Sequence, residues 1–568
     1  MHFFRGTHVL AATLALAPGW TLAQHEHEHA HVASENFGTV HFPTSCNPQV
    51  QPAFERGLAM LHSFAYEQAA EAFREVSAKD AACAVAQWGV AMSYLHAIWA
   101  PPTEDEFAAG RTAAQKAAAT GAKSTRERDF IAAIGTYYQG DGVAHPARLA
   151  TYEKAMAGVA ERNPKDHEAA IFHALAILGM AYNSPPDKTY AKQREAAKIL
   201  NRLLPLEPKH PGIAHYMIHS FDYPELAELA LPAARAYAKI APSAPHALHM
   251  PSHIFTRLGM WKESIESNIA SAQTAQAWMA KTRPGATAFD ALHAMDYLEY
   301  AYLQTGQDAK ALELVNQVAK VTSFDVPQFA AGYALAAIPA RYALERRAWK
   351  DAAALTAQPP TFPWAKYPYA EAIVHFARAV GGARGGDLEL ARREVAKLAE
   401  IQTALKGQKG FDWATQVEIQ RLAAVGWLAR AEKKDAEALS LMRSAADLEA
   451  STDKHPVTPG SILPAREQLA DLLAEAGQPA EAFAEYESSL RSAPARFNSY
   501  ERAAQSAERA GKKQEAKTYR QRLQTLCGGS VPVRVGLVMP PAQLRLSPPE
   551  RQILMVSGGR SATAVTIR

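Results

Sequence analysis

The chain has 568 residues, of which 48% are apolar, with 60 basic side chains against 57 acidic ones. A net charge of +3 gives no electrostatic basis for holding nucleic acid. The proportions of charged (21%) and aromatic (9%) residues exclude a chain that is disordered throughout.

At the N-terminus Arg5 precedes an apolar run from Val9 to Ala17, and the small-residue stretch Thr21-Leu22-Ala23 follows. That is the layout of a secretory signal peptide over residues 1–23, with cleavage after Ala23. The run is too short to cross a bilayer, and no later segment reaches the needed length without charges or Pro. The expectation is an exported protein, periplasmic or secreted, with no membrane span. Three cysteines cannot form a disulfide scaffold. In an oxidising compartment, however, Cys46 and Cys83 are expected to pair around the first helical hairpin, leaving Cys527 over. The segment 24–45 is expected to be flexible. Its alternating His25, His27, His29 and His31 with Glu between them form a chelating composition suited to capturing a divalent metal.

The body is rich in Ala, Leu, Glu and Gln, and its apolar residues recur at three- and four-residue steps, which predicts helix throughout. The helices come in pairs with turns of two or three residues. Leu292 to Gln304 and Ala309 to Lys320 flank Gly306-Gln307-Asp308; Gln416 to Ala431 pairs with Asp435 to Ala450, and Leu463 to Glu475 with Pro479 to Arg491. The stretch around Pro208 aligns with that around Pro242 at an offset of 34 residues. Gly259-Met260-Trp261 and Gly306-Gln307-Asp308, each followed two residues later by a small residue and then an aliphatic one (Ser264-Ile265 and Ala311-Leu312), resemble the inter-helix turn of the tetratricopeptide repeat (TPR) superfamily, whose period is 34. The resemblance implies an all-α, right-handed solenoid of about nine to eleven hairpins. It also implies a concave groove that takes a protein or peptide partner. An N-terminal arm is expected over 46–356 and a C-terminal arm over 387–527. Between them lies an irregular aromatic and Pro-punctuated bridge with a hairpin, over 357–386. A basic, poorly ordered tail is expected over 528–568.

Residues 210 to 253 hold six of the 21 histidines, where an even spread would place about 1.6. In the 34-residue alignment His215 matches His249 and His219 matches His253, so two consecutive repeats carry HxxxH in register. Residues i and i+4 of a helix project together, which makes these four the candidate ligands of a transition metal; zinc and copper suit imidazole best. Asp222, His246, His293 and Asp296 are candidate additional ligands. His62, His96 and His173 are individually read as structural. There is no Walker loop, GxGxxG, GxSxG or HExxH pattern, so catalysis by side chains alone has no support. Three readings stay open: metal handling or metal-dependent scaffolding, a peptide-binding scaffold without metal, and a metal-dependent enzyme.

Overall fold

The computed structural model describes residues 35–98, 101–185, 187–408 and 410–534. The expected signal segment, His25 to His31 and the residues from 535 onward lie outside the described residues. Helices follow one another from Gln51 to Leu526, and no strand forms among the described residues beyond a single bridge between Thr287 and Phe324. No helix among them is long and apolar enough to cross a membrane.

The hairpins are built as their turns require. Phe289–Gln304 turns into Asp308–Val318, Trp413–Ala431 into Asp435–Ser451, and Ala465–Glu475 into Pro479–Ser492. Each helix packs mainly on the next in sequence and also touches the one after that, which is how a TPR-like solenoid stacks. The turn glycines do specific work. Gly259 adopts φ +67°, and a Cβ there would lie 2.8 Å from the Cβ of Ala495, so a later hairpin seats directly on this turn.

Burial divides into two principal apolar clusters, one running from Phe37 to Phe255 and the other from Leu292 to Tyr519. The stretch 357–386 lies inside the second cluster: Phe362, Trp364 and the helix Pro368–Gly385 pack within it. The first cluster is clamped at its start by the Cys46–Cys83 disulfide, with Cα atoms 4.8 Å apart across the hairpin Gln51–Lys79. The second is tied to the middle of the chain by buried ion pairs. Arg496 reaches Tyr300, Glu345 and Glu467 at once, all from within the protein. At the far end Arg534, 4% exposed, pairs with Asp308 and donates to the Leu303 carbonyl, so the start of the basic tail is docked.

Two further contacts join parts of the chain far apart in sequence. The helix Gln51–His62 packs against Pro211–Phe221, and just beyond it the ring of Phe64 lies 4.3 Å from that of His215. The connection between Asp435–Ser451 and Ala465–Glu475 runs across to the N-terminal half: Lys188 meets Asp453 at 2.5 Å, and the Tyr297 hydroxyl donates to the Thr458 carbonyl at 3.1 Å.

Candidate metal centre

Four helices that follow one another along the chain supply six buried histidines. Pro211–Phe221 carries His215 and His219, Pro245–His249 carries His246 and His249, Pro251–Arg257 carries His253, and Phe289–Gln304 carries His293. Pro245 and Pro251 each open a short helix, as their missing N–H and fixed φ favour, and so set the two middle segments end to end.

The six rings sort into two sets of three. His215, His219 and His246 form one, and His249, His253 and His293 the other, with ligand atoms within 4.8 Å of one another in each. The four HxxxH histidines therefore do not converge on one centre. Each i,i+4 pair recruits a third ring from the next repeat, and His246 and His293 are full members of their sets. All six are buried, from 0% exposed at His215 to 8% at His246. They are covered by Phe64, whose ring lies 4.3 Å from that of His215, and by the segment bearing Lys454 and Thr458.

The first set is organised by His215. Its Nδ1 donates to the His62 carbonyl oxygen at 2.7 Å, which leaves Nε2 as a lone pair in the neutral ring. That Nε2 lies 3.0 Å from Nε2 of His246 and 3.1 Å from Nε2 of His219. An ion about 2.05 Å from each nitrogen would see an angle of about 95° at both of these pairs, between octahedral and tetrahedral values.

In the second set the tautomers of two rings are dictated by their partners. His249 Nδ1 sits 2.7 Å from Asn268 Oδ1, and Asn268 is held in that orientation because its Nδ2 donates to the Ser264 carbonyl at 2.7 Å. His253 Nδ1 donates to Asp222 Oδ2 at 3.0 Å. Burial pushes the Asp222 carboxyl up, but Lys454, Arg257 and His253 outweigh it and hold it well below the usual carboxylate range, so it is an acceptor only. Both Nδ1 atoms thus carry hydrogens, and both Nε2 atoms are bare lone pairs. Those two lone pairs face each other at 3.0 Å. His293 Nε2 is buried with no hydrogen-bond partner, its ring 4.2 Å from that of His249.

A proton would relieve the contact, but it is disfavoured. Burial first, then the charge of neighbouring imidazoles, pushes His215, His219, His246, His249 and His293 well below the ordinary histidine value. His253 is also lowered by burial, against the pull of Asp222. Burial likewise lowers Lys454 to about 7 despite its carboxylate neighbour.

The two candidate carboxylates take other roles. Asp222 orients His253 and pairs with Arg257 at 2.8 Å. Asp296 pairs with buried Arg341 at 2.7 Å, which also holds Glu299 at 3.0 Å. A third buried group, His62, Glu168 and His210, is a hydrogen-bonded bridge: both Glu168 oxygens accept from an imidazole at 2.9 Å. Asn268, Phe64 and this bridge escape sequence reasoning, since nothing local marks an Asn or Phe as the neighbour of a distant ring. The Asn268 contact spans 19 residues, across a helix turn whose register the repeat could have supplied.

No family model matches the chain, and no curated protein matches it. Among solved structures, the human IFIT1 dimer with PPP-AAAA is 12% identical, covering 83% of this chain and 89% of that one at a TM-score of 0.33. The APC/C hetero-tetramer Cut9-Hcn1 is 11% identical over 85% and 94%, at 0.30. Naa15/Naa10 bound to HypK-THB is 12% identical over 83% and 62%, at 0.22. At these scores the likeness carries no argument about the histidines, whose reading rests on their own geometry.

Proposed function

We propose that this TPR-like repeat protein binds transition-metal ions, zinc or copper, in the two buried histidine sets, and that it acts in metal handling after export. One observation carries the reading. His249 and His253 present lone pairs to each other at 3.0 Å while their other nitrogens are committed as donors to Asn268 and Asp222. Two acceptors without a hydrogen between them, in a site that resists protonation, are stabilised by a cation that accepts both pairs. The carboxylate–imidazole–metal arrangement that Asp222 and His253 would complete is the usual way a protein fixes a ligating ring.

The position of the sets gives the ions a structural role as well. His293 stands on the first helix of the second apolar cluster and His249 and His253 on the last helices of the first, so an ion in the second set pins the seam. The histidines of the N-terminal segment, His25 to His31, would raise the local metal concentration without forming the site. The peptide-scaffold reading has less support at the histidines, because all six are buried, with the segment bearing Lys454 and Thr458 packed beside them.

Elemental analysis of untagged protein, with calorimetric titration of Zn²⁺ and Cu²⁺, is the test. In a chain with His25, His27, His29 and His31 replaced by Ala, two tight ions per chain are expected. Replacing His249 and His253 by Ala should remove one of them. Micromolar or tighter binding of both ions that survives the double replacement, or the absence of any tight ion in the parent chain, refutes the assignment.

A further inference from the structure

The two sets share a property that bears on which metal they hold and what reaches it. This step rests on the metal-binding reading above. All six ligands are uncharged imidazoles, and the nearest carboxylates are already matched: Asp222 by Arg257 at 2.8 Å and Lys454 at 3.6 Å, Asp296 by Arg341 at 2.7 Å. Two divalent ions would bring four positive charges into a space walled by aromatic rings, where Glu168, held by His62 and His210, is the one buried carboxylate nearby that no Arg or Lys matches. Two cuprous ions bring half that charge, and three imidazoles complete a coordination that copper accepts.

The walls around both sets are aromatic. Phe64 covers the first set, its ring centre 4.3, 5.8 and 5.6 Å from those of His215, His219 and His246, and it is held there in a left-handed backbone conformation at φ 54°. A non-glycine residue in that region is strained, and it persists because the surrounding packing over-determines it. Tyr237 stacks on His215 at 5.1 Å, and Tyr297 lies against His249 and His253 at 4.8 and 4.9 Å. His246 and His249, one from each set, are three residues apart on one short helix, with ring centres 6.4 Å apart. The two sets are therefore neighbours, joined by one turn of this helix.

We infer that the paired sets form a dicopper centre whose ligand is dioxygen. Each Cu(I) gives one electron; the O–O double bond becomes a single bond, and the resulting peroxide dianion bridges two Cu(II) ions. No proton moves and no further reactant is required. The charge of the centre is +2 before and after, because the two charges gained by the metals are cancelled by the two on peroxide. A dry site that cannot screen a change of charge accommodates this step, whereas it resists plain oxidation to two Cu(II) ions.

The test uses the chain with His25, His27, His29 and His31 replaced by Ala, loaded without oxygen with two equivalents of Cu(I) and then titrated with O₂. The expected result is one O₂ taken up per two copper ions, a strong near-ultraviolet peroxide-to-copper absorption, and no electron-spin signal because the two Cu(II) spins pair. His293→Ala should retain one copper, which air converts to an isolated, spin-visible Cu(II), with O₂ uptake lowered more than tenfold. If that variant does not reach native helical content by circular dichroism, His219→Ala makes the same test from the other set. Two bound copper ions that oxidise to spin-visible Cu(II), or that stay cuprous in air without an adduct, overturn the dioxygen inference and leave metal binding standing. No copper bound at all, with two Zn²⁺ bound in its place, overturns the choice of metal. No metal of either kind overturns both readings.

Discussion

Acid should weaken the metal-free protein steeply, by an amount that follows from the burial of its histidines. Five rings, His215, His219, His246, His249 and His293, are held well below the ordinary value of 6.5, first by burial and then by one another. At pH 5.5 the folded chain keeps them neutral while the unfolded chain binds a proton on each. The unfolded state then carries more protons, so stability is full above pH 6.5 and declines as pH falls below it towards the folded values. Five rings that stay neutral in the folded chain set an upper bound of about 7 kcal/mol at pH 5.5 relative to pH 7.5. That bound is comparable with the whole margin of an ordinary domain. With a urea dependence near 3 kcal/mol per molar, the midpoint should drop by up to about 2 M. Urea unfolding of chelator-treated protein at pH 7.5, 6.5 and 5.5, followed by circular dichroism, measures it. A midpoint that moves by less than about 0.3 M would show that these rings already bind protons, or are exposed, in the folded chain, and the tautomer argument at His249 and His253 would fall with it.

Other perturbations separate the parts of the structure. Replacing Asn268 by Ala removes the acceptor that fixes the His249 tautomer, and competition with a chelator should show affinity at the second set lowered about 10- to 100-fold with the first set unchanged. Replacing Cys46 and Cys83 together by Ser opens a loop with a sequence separation of 37; the chain-entropy relation gives a loss of about 4 kcal/mol in thermal or urea unfolding, and no loss would mean that the first hairpin is held by packing alone. Arg496→Ala strands buried Glu345 and Glu467 and should cost about 3 to 5 kcal/mol, read as an earlier melting transition, while metal affinity at both sets stays within twofold.

How much of this was legible in the sequence differs by scale. The hairpins and their turns follow from local chemistry: apolar steps of three and four, a glycine where φ must be positive, a proline where a helix opens. The HxxxH pairs follow from the repeat, because a 34-residue period carries a helix face from one hairpin onto the next. The grouping of the six rings does not follow. His246 and His249 stand on one turn of one helix, yet each joins a different set, because the helix lies between its two neighbours and shows a different side to each. Sequence spacing says that two side chains share a face; it does not say which neighbouring helix that face meets. Closure of the groove was hidden for the same reason. Lys454 meets Asp222 across 232 positions and Arg496 meets Tyr300 across 196, and no periodic pattern records contacts made when the solenoid folds back on itself. Those contacts change the chemistry most. An open groove lined by imidazoles would titrate near 6.5 and bind metal weakly in competition with water. Once the segment around Lys454 and the ring of Phe64 exclude water, the same six imidazoles are pushed to their neutral forms. At His249 and His253 the facing lone pairs then have no solvent to satisfy them, which is the ground for the cation proposed there.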